Sequence, residues 1–326
     1  MKILYAFQGT GNGHLARAQE IIPILRKYAV VDTLMSGHQS QLKSDFKLNF
    51  QFKGISLLYD KSGGLSYYKT FRDNQFLLAL RDSRSLQLDQ YDLIINDFEP
   101  ITAWACKGKS YPMIEVSHQA SMKFKETPKP SRRNILGEWV LNNYAPSKQK
   151  IGFHFESYHP LIKKPVIRKK IRSLQPTREA HYVVYLPSFS DENLVSILKQ
   201  IPINWKVFSK YSKLHQTFGN VEIYPIDEVQ FLHFFETCTG ILCNAGFETP
   251  AEALYMGKKL FVIPIHNQYE QECNACALDL LGIMNSKKLI VEDLEKWISN
   301  NEFLEVHYPD DTENIFLNEV LPFARH

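Results

Sequence analysis

Residues 240–277, GILCNAGFETPAEALYMGKKLFVIPIHNQYEQECNACA, constrain this chain more than any other stretch. Ile241, Leu242 and Cys243 form a short apolar run of the kind that makes a fully buried strand. The polar turn Asn244-Ala245-Gly246 follows. Thr249-Pro250-Ala251-Glu252 then predicts a helix start, with Thr249 at the N-cap, Pro250 at the first helical position and Glu252 three residues after the Thr. Gly257 predicts the end of that helix. Residues 260–263, closed by Pro264, are a second buried run. Strand, helix and strand in so short a span make a βαβ unit, with parallel strands and a right-handed crossover. A ligand is expected at the carboxyl end of the first strand, over Ala245-Gly246 and the helix start. Backbone N–H groups and the positive end of the helix dipole face it there, which suits an anion such as a pyrophosphate.

These residues also carry a resemblance. Asn244-Ala245-Gly246, Thr249, Glu252-Ala253-Leu254, Gly257, Pro264, Gln268, Gln271 and Asn274-Ala275 resemble the donor-binding signature of GT-B glycosyltransferases. They are most similar to MurG-type (family 28) N-acetylglucosaminyltransferases and to UDP-glucuronosyltransferase-like enzymes. The resemblance implies an α/β fold of two Rossmann-like, doubly wound parallel-sheet domains facing across a cleft. Lys258-Lys259 in place of a small residue and Pro, and Asn267 in place of an acid, depart from the pattern and leave the sugar open.

Length agrees with two domains: 326 residues exceed the ~250–300 at which a single core stops growing. The expected division is 1–165 for an acceptor-side domain and 178–312 for a donor-binding domain. A basic linker falls at about 163–178, and the segment 313–326 packs back on the first domain, as the resemblance implies. A net charge of +3 makes no case for nucleic acid. The apolar start at 3–7 is too short for a signal peptide, and no run reaches the ~18 residues of a membrane span. A cytoplasmic protein is expected, at most peripheral on the inner face of a membrane. Five cysteines, an odd number, suggest free thiols. A zinc set of Cys238, Cys243, Cys273 and Cys276 is disfavoured, because Cys243 sits in an apolar strand and the last two interrupt a helical pattern.

The chain opens as strand (1–7), glycine loop (8–14), helix (15–28) and strand (30–35), the helix carrying Ile21, Ile22, Ile24 and Leu25 as a stripe. A dinucleotide site is the rival reading. It fails because His14 stands where the third glycine belongs, and Ser36-Gly37-His38 replaces the ribose-binding acid. The loop with Gly11, Asn12, Gly13 and His14 instead resembles the GTGGH-type loop that opens GT-B enzymes and approaches acceptor and sugar. The plainer alternative is a tight turn with His14 capping the helix.

Residues 46–58 suggest a strand or hairpin, and 65–81 an amphipathic segment offering Tyr68, Phe71, Phe76, Leu77 and Leu80 to one face. That face is either core or a lid or membrane contact. Residues 91–100 read as a buried strand ending in acids. Asp97 either caps the helix at 101–106 or, as the resemblance implies, orients a catalytic histidine. Residues 113–116 form the next strand, with Ser117-His118-Gln119 at its tip. Lys123, Lys125, Lys129, Arg132 and Arg133 beside Trp139 make a solvated face or a contact with anionic lipid. The second domain restarts with a buried strand at 182–186 and Pro187-Ser188-Phe189-Ser190. By resemblance, Ser188 or Ser190 donates to a donor phosphate and 223–228 meet the base.

The resemblance implies a chemistry. Glu252 holds both ribose hydroxyls, or else closes a capping box with Thr249, worth ~1 kcal/mol. Gly246 admits the phosphate, and the helix start from Phe247 neutralises leaving-group charge. Gln268 and Gln271 bond the sugar or phosphate. No D-x-D motif occurs, so no metal is expected and the nucleotide sugar is the only small-molecule partner besides the acceptor, itself lipid-linked, glycan or other. His14 is the base, worth ~10²–10⁴ in rate, with Asp97 fixing its tautomer. A sugar-nucleotide epimerase or hydrolase, or a noncatalytic nucleotide-sugar sensor, are the competing functions.

Overall fold

The computed structural model describes residues 1–37, 44–56, 58 and 64–325. His38, Leu57, His326 and the side chains of Tyr67 and Phe71, which figure in the expectations above, lie outside that description. Among the described residues, fourteen strands form two seven-stranded sheets. The first sheet holds β1 (Lys2–Gln8), β2 (Val30–Ser36), β3 (Phe50–Phe52), β4 (Leu93–Asp97), β5 (Met113–Ser117), β6 (Gln149–Phe153) and β7 (Ile162–Lys163). Its order is β3-β2-β1-β4-β5-β6-β7, all parallel. The second holds β8 (Glu179–Tyr185), β9 (Asn204–Ser209), β10 (Gln216–Phe218), β11 (Val221–Pro225), β12 (Cys238–Asn244), β13 (Lys259–Ile263) and β14 (Met284–Asn285). Its order is β10-β11-β9-β8-β12-β13-β14, with only the β10 edge antiparallel.

Near-continuous apolar runs explain the parallel sheets, whose strands are covered on both faces by helices. Ile3, Tyr5 and Phe7 of β1 and Leu93 and Ile95 of β4 are fully buried in one core; Val184, Leu242 and Phe261 lie in another.

Several local expectations give way to side-chain bonding. Only Phe50–Phe52 of 46–58 is a strand, because Asn49 turns inward to bond the Thr33 backbone N–H at 3.0 Å. The 65–81 segment is two helices, Tyr67–Asp73 and Phe76–Ser85. Asn74 breaks it by donating its amide to Thr70 O and Ser56 O. Leu77 and Tyr68 are exposed, so that face is not wholly core. Glu99, not Asp97, caps the helix Pro100–Cys106, accepting from Ile101 and Thr102 N–H at 2.7 Å each.

The C-terminal turns after Thr312 lie against the first lobe. Lys27 meets Glu313 at 2.8 Å, Lys163 meets Glu319 at 2.7 Å, and Arg325 N–H reaches Asp92 O at 2.8 Å.

Candidate active site

Strand order reverses between β1 and β4 in one sheet and between β8 and β12 in the other. Such reversals leave crevices at the carboxyl ends of the strands. Both crevices open onto one interlobe cleft of about 820 Å³.

On the first lobe, the helix Gly13–Leu25 begins at Gly13, with Asn12 at its N-cap and no side-chain cap. His14 therefore does not cap the helix. Helical side chains lean toward the N-terminus, and residues three apart share a face. Accordingly His14 and Arg17 both reach Asp97 at the end of β4. His14 Nδ1 lies 2.9 Å from Asp97 Oδ1, and Arg17 donates Nε to Oδ2 at 2.9 Å and Nη2 to Oδ1 at 2.7 Å. Arg17 Nη2 is also 3.1 Å from His14 Nδ1, farther than Asp97 Oδ1; an ionised carboxylate can only accept, so Nδ1 bonds to it as the N–H nitrogen. Burial pushes the Asp97 carboxyl up, and the charges of Arg17 and His14 more than reverse this, leaving it below the usual carboxylate range. Phe98 follows at φ 53°, a left-handed backbone that a bulky side chain adopts only when its surroundings hold it. Its ring lies parallel to the His14 imidazole and stacks on Tyr144.

On the second lobe, the helix Glu248–Tyr255 starts one residue before Thr249, with Phe247 at the N-cap position and no side-chain cap. The predicted box of Thr249 and Glu252 does not form. Phe247 is pinned by stacking on His118, ring centroids 3.8 Å apart, and Glu252 is taken by Arg168 (Nε to Oε1 2.6 Å, Nη2 to Oε2 2.8 Å). The uncapped start leaves its N–H groups for a ligand's oxygens. A Cβ at Gly246 would meet nothing within 4 Å, so the turn is open to the cleft. Asn244 bridges Ser188 Oγ and Ile263 O at 3.0 and 2.8 Å. Gly11, Asn12, Gly13, His14, His118, Ser188, Asn244, Gly246, Phe247, Thr249, Glu252, Gln268 and Gln271 all line the cleft. Asp97 sits behind His14, fully buried. Ala245 is also fully buried, its N–H given to Ile263 O and its carbonyl taken by Asn274, so it holds the turn rather than facing a ligand.

The lobes meet through polar pairings that the sequence does not show, although His118, Gln119 and Asn274 stand out in it individually. Arg17 pairs with Glu248, His118 Nε2 contacts Asn274 Oδ1 at 2.8 Å, and Gln119 donates to Glu270 at 3.0 Å. His118 is a cross-lobe strut; burial pushes it down to about 4. Burial pushes the Glu248 carboxyl up to about 7, against the opposing charge of Arg17. Arg17 was legible in principle: it stands three residues after His14, on the same helix face. Arg168 lies in the basic linker of 163–178 with nothing to set it apart from its neighbours, and Glu248 carried no comparable signal. Among the described residues, no group of three or more His, Cys, Asp or Glu is arranged to hold a metal, and Cys238, Cys243 and Cys273 are buried free thiols.

Two α/β lobes built on parallel sheets, with their switch points facing across a cleft, have the GT-B architecture. The family model described as "Glycosyl transferase family 1" matches residues 1–301. The chain belongs to that family, and it is a glycosyltransferase. Among solved structures it is similar to LpCGTa in complex with UDP (TM-score 0.57, 12% identity, 92% of this chain and 91% of that one). It is likewise similar to Acinetobacter baumannii MurG (TM-score 0.54, 14%, 96% and 92%). A third is Phytolacca americana UGT2 complexed with UDP-2fluoro-glucose and pterostilbene (TM-score 0.55, 13%, 96% and 92%). At these identities the likeness speaks for the fold. No curated protein matches the chain significantly.

Proposed function

We propose that this enzyme moves a sugar, GlcNAc or another hexose, from a UDP-sugar to an acceptor hydroxyl, with inversion and without a metal. The observation that carries the reading is the His14–Asp97 pair on one wall of the cleft and the open, uncapped start of the helix Glu248–Tyr255 on the other. UDP as the carrier is supported by the bound nucleotide in LpCGTa.

The diphosphate lies over Gly246, where the missing side chain lets phosphate oxygens approach the N–H groups at the start of the helix. Charge that develops on the leaving group meets the helix dipole there. Glu252 accepts from the ribose hydroxyls. Arg168 uses one lone pair of each carboxylate oxygen, and a second on each remains for a ribose O–H. Ser188, Gln268 and Gln271 supply neutral hydrogen bonds to phosphate and sugar. His14, with Nδ1–H directed at Asp97, keeps Nε2 free to take the acceptor proton, and the carboxylate supports the imidazolium that forms. Attack from the face opposite the diphosphate inverts the anomeric centre. The absence of a D-x-D motif favours this metal-free scheme.

The acceptor side carries an exposed apolar patch at the mouth of the cleft. The helix Ile135–Tyr144 turns Val140 and Tyr144 to the cleft and leaves Ile135, Leu136 and Trp139 exposed, beside exposed Lys125, Lys129 and Arg132. This favours an acceptor with an apolar part, presented at an anionic membrane surface. Among the described residues, no helix is long and apolar enough to cross a membrane.

UDP release, measured with and without candidate acceptors, tests the reading. Transfer should raise release several-fold over the acceptor-free rate. His14→Ala should lower kcat by ~10²–10⁴ while leaving the unfolding midpoint near wild type. Near-normal turnover in that variant would remove the base assignment.

A further inference from the structure

The guanidinium of Arg17 is gripped on two sides. Asp97 takes two of its N–H groups from within the first lobe, and Glu248, the first residue of the donor helix, takes a third from across the cleft. The approach is close enough that a Cβ on Gly13 would come within 3.0 Å of Glu248 Cγ. The Arg17 side chain is nearly out of water, whereas that of Glu248 keeps 20% of its surface exposed, so solvent reaches the carboxylate but hardly the guanidinium. Glu248 therefore puts a carboxylate on a buried cation beside the helix start at which a diphosphate is expected, while Arg168, on the same side of the cleft, is held by Glu252. Two anions cannot share that spot without penalty.

We propose that Arg17 is the cation that receives the donor's diphosphate and that Glu248 is its placeholder, discharged by taking up a proton as the donor enters. The proton passes from solvent to a Glu248 carboxylate oxygen, giving a neutral acid that releases the guanidinium. Asp97 keeps its own two bonds to Arg17 throughout, so the cation stays fixed while it changes partner. The charged groups that act on Glu248 are Arg17, Glu252, Asp97 and Arg168; burial among them leaves its carboxyl up at about 7, within reach of a proton near neutrality.

This rests on the UDP-sugar reading, and calorimetry with UDP separates the two. Titration at pH 7.5 in two buffers of different ionisation enthalpy counts protons taken up on binding. Wild type should take up about half a proton or more beyond Glu248→Gln; the nucleotide's own titration is common to both and cancels. Glu248→Gln should bind UDP at least threefold more tightly than wild type at pH 8, the two converging at pH 6. Arg17→Lys, which keeps the charge but loses the fork, should bind at least tenfold more weakly under conditions where its unfolding curve shows it folded. Equal proton counts, or weaker UDP binding by Glu248→Gln at pH 8, would overturn the placeholder role. Wild-type affinity in a folded Arg17→Lys would overturn the role of Arg17. A wild type that does not bind UDP removes the donor reading itself and this inference with it.

Discussion

Asp97 is fully buried and carries the charge to which both His14 and Arg17 answer. Removing the Asp97 charge leaves the buried Arg17 guanidinium with Glu248 alone, and breaking a buried ion pair costs ~3–5 kcal/mol, whereas loss of His14 leaves the Asp97–Arg17 pair intact. Asp97→Asn should therefore lower both stability and kcat, the first read by urea unfolding, whereas His14→Ala should lower kcat alone. The carboxyl of Asp97 is held below its ordinary range, so its contribution is present above the unfolded pKa and is lost as pH falls through the folded one. Glu248 has the opposite sign. Its folded pKa, about 7, is above the unfolded value, so the proton is held more tightly in the folded state. Its contribution is complete below the unfolded pKa of about 4.5 and is lost as pH rises through about 7, on the order of 3 kcal/mol in all. Unfolding measured at pH 5 and pH 8 should show that loss in wild type and a flatter profile in Glu248→Gln. An equal slope in the two proteins would show that Glu248 is not the titrating group.

At the scale of elements, the donor unit was legible because its signals were local. The strand β12, the helix, Gly257 at φ 62° ending it, and the strand β13 follow from apolar runs and turn chemistry within some thirty residues. The helix start was misread for a reason that lies elsewhere in the chain. Thr249 and Glu252 have the spacing of a capping box, but Arg168, 84 residues before Glu252, takes its carboxylate, and His118 holds the ring of Phe247. The same distance hid Arg17–Glu248, 231 residues apart. Asp97 shows the converse: sequence left it open between cap and histidine partner, and Glu99 takes the capping bonds. Phe247 is 5% exposed and carries the stack that aims the helix start. Phe247→Ala should cost ~3–5 kcal/mol in denaturant unfolding and raise KM for the donor more than it lowers kcat. A normal KM in that variant would separate the stack from donor binding.

In the molecule as a whole, two lobes with independent sheets are tied across the cleft by Arg17–Glu248, Arg168–Glu252, His118–Asn274 and Gln119–Glu270. These ties keep the His14–Asp97 wall opposite the donor helix before any ligand arrives. We propose that a diphosphate then rests on the bare amides at Gly246. Open space at that residue means that a larger side chain can be accommodated by the empty protein but not beside a phosphate. The affinity of UDP for Gly246→Val, measured by calorimetry beside its unfolding midpoint, tests this most directly. UDP binding should fall at least tenfold with the midpoint within a few degrees of wild type; undiminished UDP binding by the folded variant would show that no phosphate rests at Gly246.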